Sequence, residues 1–176
     1  YKGPVREMIP RLKQHVPPGP LPCSAGNGHP CRMNGNRKVF VTGASGYIGG
    51  SVAHALVERG FQVTGLVRSE SAASAALAHG VRPIVATLDD RDALTGAAHA
   101  ADAVIHAADA DYRGAAETLV AALRGTGKAL LHTSGSSIVA DDGRGELSER
   151  VFDDETPFEP VPEKAARVAI DRFVLG

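Results

Sequence analysis

The sequence is poor in several things that would otherwise direct its reading. It has no tryptophan, three tyrosines and five phenylalanines, so aromatics make up 5% of 176 residues. Its only two cysteines, Cys23 and Cys31, both lie in the N-terminal segment, outside the expected core. That spacing argues against a fold held by disulfides, and it suits a reducing, cytoplasmic compartment. Excess charge is missing too: the net value is -1, which provides no phosphate-seeking field and excludes a nucleic-acid binder. No run approaches the roughly 18 apolar residues that would span a bilayer, so no membrane partner is expected. No His or Cys spacing matches a metal-ligand pattern, and neither a paired-carboxylate motif nor a nucleophile elbow occurs. No metal is therefore assigned.

What remains is rich in small residues, with 20 glycines and 43% hydrophobic side chains. Small residues let helices lie close on a sheet, which favours a tightly layered α/β protein, although a compositional bias of the source would give the same numbers. The length suits one domain with a sizeable core.

Two regions separate. Residues 1–36 hold seven of the eleven prolines and show no sustained period of 2 or 3.6. Proline removes backbone donors and blocks helix, so the segment reads as an irregular arm. It has no apolar core of a secretory signal, and its many prolines are unlike a transit peptide. The chain begins with Tyr1, and Met33 would make a natural start, so the arm reads as a leader, an expression remnant or a mistranslated flank.

From residue 37 to 176 strands and helices alternate. The apolar runs Lys38 to Val41, Phe61 to Val67, Val81 to Thr87, Ala103 to Ala108 and Lys128 to Thr133 read as buried strands. Helices fall between them: one with Ile48, Val52 and Leu56 on a single face and stopped by Gly60, then Ser71 to His79, Asp90 to His99 and Arg113 to Leu123. A last helix is expected over Glu163 to Leu175, with Val168, Arg172 and Leu175 spaced along it. Alternation of this kind implies right-handed crossovers and a Rossmann-type, doubly wound parallel sheet.

The first strand runs into Thr42-Gly43-Ala44-Ser45-Gly46-Tyr47-Ile48-Gly49. A dinucleotide's pyrophosphate needs backbone N–H groups and a positive dipole end with no side chain in the way. Gly43 permits the tight turn, Gly46 the approach of the phosphates and Gly49 the close packing of helix on strand, so Gly43, Ser45, Gly46, Tyr47, Ile48 and Gly49 are assigned to a phosphate cradle. The spacing is GxxGxxG, where the commonest fingerprint is GxGxxG. At the end of the second strand no acid is present to bind a ribose 2′-hydroxyl. Arg68 stands there instead, and a guanidinium suits a 2′-phosphate, so NADP is expected, with NAD the alternative. A solvated surface arginine would read the same way.

The stretch Val-Phe-Val-Thr-Gly-Ala-Ser-Gly-Tyr-Ile-Gly-Gly resembles the opening of the extended and atypical short-chain dehydrogenase/reductases, the NAD-dependent epimerase/dehydratase family. The likeness continues through Ala101 to Ala108 and Leu131 to Ser136, and covers roughly residues 37–176. It implies that the amides of Tyr47 and Ile48 meet the pyrophosphate and that Thr87 and Leu88 lie by the adenine, with Thr87 where the family usually has Asp. It further implies that Ala107 and Ala108 line the cofactor, while Thr133 and Ser134 face the nicotinamide.

The family's chemistry uses a Ser or Thr after the fifth strand and a Tyr-x-x-x-Lys pair. Ser134 supplies the first element, with Ser136 and Ser137 as neighbours. The tyrosine is missing. One register puts Lys164 at the lysine position and Pro160 at the tyrosine; another sets Arg167 and Asp171 against the lysine and its following acid, which puts Glu163 at the tyrosine. Ser134 and Lys164 are taken as the catalytic pair. Tyr112, after the fourth strand, reads as a rim residue, Tyr47 as packing, and His106 and His132 as core or rim residues.

The resemblance also implies that a complete member continues into a smaller substrate domain, so the chain is expected to be the cofactor half of such a protein. The reading is an NAD(P)-dependent oxidoreductase acting on a small carbonyl or alcohol, in a protein able to form a homodimer. A non-catalytic NADP(H)-binding regulator or redox sensor, and a nucleotide-sugar epimerase, are the alternatives.

Overall fold

The computed structural model describes residues 37–139, 150–153 and 155–176. The Pro-rich arm, both cysteines and the acidic pair Asp141-Asp142 lie outside the described residues.

Five strands form one parallel sheet: β1 (Lys38–Thr42), β2 (Gln62–Val67), β3 (Arg82–Val85), β4 (Ala103–His106) and β5 (Ala129–His132), in the order β3-β2-β1-β4-β5. Helices α1 (Tyr47–Glu58), α2 (Glu70–Ala78), α3 (Arg91–Ala100) and α4 (Arg113–Leu123) alternate with them, and α5 (Ala165–Leu175) follows. This is the Rossmann-type sheet that the strand–helix alternation implies.

The pleat sorts β1 between two cores. Val39 and Val41 pack with Ala53 of α1 and with Ala73 and Ala76 of α2. Phe40, on the opposite face, packs with Leu94 of α3 and Leu119 of α4. Each fully buried residue of this size contributes about 1.5–3 kcal/mol. The helix caps are local. Ser69 accepts from the Ala72 amide and Asp90 from the Ala93 amide, each three residues on.

Two details differ from the sequence expectation. In α1 the buried positions are Gly49 and Ala53, whereas Ile48 is exposed. The helix must lie so near β1 that its contact stripe is made of its smallest residues rather than its largest. The last helix begins later than Glu163, because Pro162–Lys164 forms a 3₁₀ turn before α5. Its buried residues are Val168 and Ile170, while Leu175 faces out.

The order of the sheet reverses between β1 and β4, since β2 and β3 lie on one side and β4 and β5 on the other. Loops leaving neighbouring strands there diverge to opposite faces and open a crevice at the strands' carboxyl ends.

Candidate functional site

Gly43 leaves β1 with φ +69°, a left-handed conformation that only glycine adopts without cost. A Cβ on it would lie 2.7 Å from the Ala107 carbonyl oxygen, so the loops after β1 and β4 touch backbone to backbone. A Cβ on Gly49 would lie 2.3 Å from the Gly43 carbonyl oxygen. The turn is closed by the Gly46 amide, which donates to the Gly43 carbonyl at 2.8 Å. Gly46 caps α1 without a side chain, and no acid stands in the first turn. The positive end of α1 and its first amides are left without a capping side chain, which is the arrangement an anionic ligand requires.

A crevice of about 370 Å³ opens at this point. Gly43, Ser45 and Gly46 line one side, and Ala107 and Ala108 line the other. Arg68 and Leu88, from the ends of β2 and β3, also line it. Seven of the assigned cofactor residues thus share one crevice. Tyr47, Ile48 and Gly49 form the first turn of α1 and are not among the lining residues; Tyr47 is 93% exposed. Thr87 and Thr133 are not among the lining residues: the Thr87 hydroxyl accepts from the Asp89 amide, and the Thr133 amide donates to the His106 carbonyl. Asp109, which sequence reasoning did not single out, lines the crevice as well. A larger cleft of about 490 Å³ lies at the amino ends of β1, β2 and β3, beside Lys38, Gln62 and Arg82. It is away from the glycine loop, and ligands of such sheets bind at the carboxyl ends.

A polar pair is buried where β1 and β4 end. Thr42, fully buried, has its Oγ1 2.6 Å from His106 Nδ1 and accepts the Ala107 amide at 3.2 Å. Burial lowers the His106 pKa from 6.5 to about 4, and the adjacent His132 pushes the same way, while Asp109 pulls upward without reversing it. The ring is neutral at pH 7.

Ser134 lies exposed just past β5, and its hydroxyl donates to Asp171 Oδ2 at 2.7 Å. Asp171 comes from α5, which packs on α4. Arg167, one turn earlier, forms an ion pair with Asp111 of the loop after β4 and donates to Ser137 Oγ at 3.4 Å. Its guanidinium is packed so closely under Gly135 that a Cβ there would be 2.8 Å from Nη1. The Arg167 hydrogen bond holds the Asp111 carboxyl below its ordinary range, and the charge of nearby Lys164 adds to the effect. Lys164 itself sits in the 3₁₀ turn before α5. Of the two registers weighed for the family lysine, the structure places Arg167 against the serine segment and Lys164 near Asp111.

Neither register contains a tyrosine. The Tyr112 hydroxyl donates to Asp89 on the loop after β3, and this hydrogen bond raises its pKa. Sequence reasoning set Asp171 only against the acid that follows the family lysine, not against Ser134, and it missed Asp111. The available signals were the Arg167-x-x-x-Asp171 spacing and the histidines closing two successive strands.

The comparisons with known proteins bear on this geometry. The family model described as NAD(P)H-binding matches residues 43–167, from the first cradle glycine to the arginine under the serine loop. The chain belongs to the NAD(P)H-binding family. An uncharacterised protein of Schizosaccharomyces pombe is 34% identical over 147 residues, covering 77% of this chain and 48% of that protein. A 4-hydroxy-2-methyl-3-oxo-4-farnesyl-3,4-dihydroquinoline-1-oxide ketoreductase of Stigmatella aurantiaca is 38% identical over 117 residues, covering 59% of this chain and 35% of that one. The solved structure of gox2253 superposes with a TM-score of 0.61 at 26% identity, over 80% of this chain and 47% of that one. The chain therefore spans half or less of the length of these relatives. The resemblance to the extended dehydrogenase/reductases and the Rossmann-type sheet are both borne out, and the family binds a nicotinamide dinucleotide. No described helix is long and apolar enough to cross a membrane.

Proposed function

We propose that the chain is the cofactor-binding part of an NADP(H)-dependent oxidoreductase that interconverts a small carbonyl compound and its alcohol. The observation that carries this reading is the position of Ser134. Its hydroxyl is exposed and anchored by Asp171, and it leaves β5 at the same carboxyl edge as the glycine cradle. The bare amides at α1, and a crevice that a Cβ on Gly43 or Gly49 would disrupt, fit a dinucleotide. When bound, the nicotinamide supplies or accepts hydride. The residues of this chain bind and orient: the first turn of α1 holds the pyrophosphate, Ala107 and Ala108 leave room for the ring system, and Ser134 orients the substrate oxygen.

Arg68 favours the phosphorylated coenzyme. It lines the crevice, while its neighbour Ser69 is occupied in capping α2, so the guanidinium is the group available for a 2′-phosphate. Lys164, beside Asp111, brings a second positive charge to the same edge and is proposed to steady the bound nicotinamide ribose.

A second reading, an NADP(H)-binding regulator that does no chemistry, is favoured by one observation: the Tyr112 hydroxyl is committed to Asp89. Fluorescence titration with NADPH and NADH, followed by coenzyme oxidation with aldehydes, ketones and quinones, tests both. Tight NADPH binding with turnover supports the oxidoreductase, and tight binding without turnover supports the regulator. Absence of binding to either coenzyme refutes both.

A further inference from the structure

His106 and His132 are register partners on β4 and β5, and both project from the face that carries Phe40 and Val104. Their rings stack, with centroids 5.2 Å apart and planes inclined by 25°. His106 is 1% exposed and the His132 side chain 6%. Asp171 closes the group from α5. Its Oδ2 accepts from Ser134, and its Oδ1 lies 3.4 Å from His132 Nε2. Both ring nitrogens of His132, and Asp171 Oδ1, have no hydrogen-bond partner among the described residues. A buried polar atom left in this condition is costly, so apolar residues would fill the space more stably. One carboxylate nevertheless hydrogen-bonds an exposed hydroxyl and lies within ion-pair distance of a buried imidazole.

We propose that Asp171 and His132 are positioning residues that supply the Ser134 hydroxyl with its proton, in place of the absent tyrosine. The inference rests on the oxidoreductase reading. In the direction of reduction, the substrate carbon gains a hydride, two electrons and one hydrogen, from the reduced nicotinamide. The carbonyl oxygen takes the Ser134 proton and becomes the alcohol hydroxyl. Ser134 regains a proton from protonated His132 through Asp171, which leaves His132 neutral. Oxidation runs the same transfers backward. In the resting structure the Ser134 hydrogen is directed at Asp171; donation to the substrate oxygen requires the hydroxyl to rotate toward the carbonyl, and the carboxyl of Asp171, once protonated from His132, then donates to Ser134 Oγ.

The charged and titratable groups around the pair come from three elements. They are His106 on β4, Asp109 and Asp111 on the loop after it, and Arg167 on α5 with Lys164 before it. Arg167 is held protonated by Asp111 first and is further favoured by the charges of Asp171 and Asp109. Its positive charge thus stands close to the carboxylate that accepts from Ser134.

The test uses the full chain and three variants: Asp171→Asn, Asp171→Glu and His132→Gln. NADPH affinity should change by no more than about twofold in each, since the cradle is formed by other residues. With NADPH and a panel of an aromatic aldehyde, an α-diketone and an ortho-quinone, Asp171→Asn should lower kcat about 100-fold with little change in KM, and Asp171→Glu should restore most of it. A coenzyme-free crystal structure of the wild type gives an independent reading: the Asp171 carboxylate should stand between Ser134 Oγ and His132 Nε2, within about 3 Å of both. The proposal is overturned if the wild type binds NADPH but reduces no probe, a result that leaves the coenzyme reading standing. It is also overturned if Asp171→Glu rescues nothing, if His132→Gln turns over as fast as the wild type, or if the crystal structure shows no carboxylate between Ser134 and His132. Failure of the wild type to bind either coenzyme removes the oxidoreductase reading and this inference with it.

Discussion

Acidification should destabilise the protein through His106 in particular, by an amount that the structure allows to be worked out. The folded state holds this ring neutral until pH falls to about 4, whereas the unfolded chain protonates it near 6.5. Above pH 6.5 both states carry a neutral ring and the full stability is present. Below it, the unfolded state takes up the proton and the folded state does not, so stability falls until pH reaches about 4 and then levels off. Between pH 7.5 and 4.5 the loss attributable to this group is about 2–3 kcal/mol. Urea unfolding at both pH values should show that decrement in the wild type and its absence in His106→Gln. The variant loses the Thr42 contact and starts from lower stability at pH 7.5, but the difference between the two pH values is the quantity that matters. Carboxylates protonating near pH 4.5 contribute equally to both proteins. Identical decrements in wild type and variant would refute the assignment of a buried, neutral ring.

Three further outcomes follow from the geometry. Arg68→Ala should weaken NADPH by about ten- to a hundredfold, the loss of one or two charge-assisted hydrogen bonds, and leave NADH unchanged; equal loss for both coenzymes in a titration would remove the 2′-phosphate assignment. Gly49→Ala places a methyl 2.3 Å from the backbone oxygen of Gly43, which cannot swing aside. Coenzyme binding should fall by at least about tenfold and stability by about 1–3 kcal/mol in calorimetry, and a variant that binds normally would show that α1 does not need this approach. Leu119→Ala, at a fully buried position of α4, should cost about 2–5 kcal/mol in denaturant unfolding.

The cradle was legible in the sequence because its requirement is local. A turn with no room for Cβ atoms, between an apolar strand and a helix, shows in the residues themselves, and Gly43, Gly46 and Gly49 stand where that requirement puts them. The strands were legible for a similar reason, as short apolar runs alternating with helical segments. The stripe of α1 was misjudged because apolar size was taken as the guide to burial. Close approach to β1 instead selects Gly49 and Ala53, residues that a hydrophobic pattern passes over. The polar group behind Ser134 was only partly legible: the Arg167–Asp171 spacing marks the acid but not its partner. Asp171 stands 37 residues beyond Ser134, and only the packing of α5 on α4 brings them together. His106 and His132 stood out as strand residues. That they stack, however, depends on β4 and β5 being parallel and in register.

The short connection from β4 to α4 is tethered on two sides, through Tyr112 to Asp89 and through Asp111 to Arg167. Its Asp109 and the preceding Ala107 and Ala108 form one wall of the crevice. A wall fastened at both corners before any ligand arrives loses little further freedom when one does. Coenzyme capture on this side should resemble docking against a rigid receptor, with adjustment left to the opposite lip, where Tyr47 stands free in solvent.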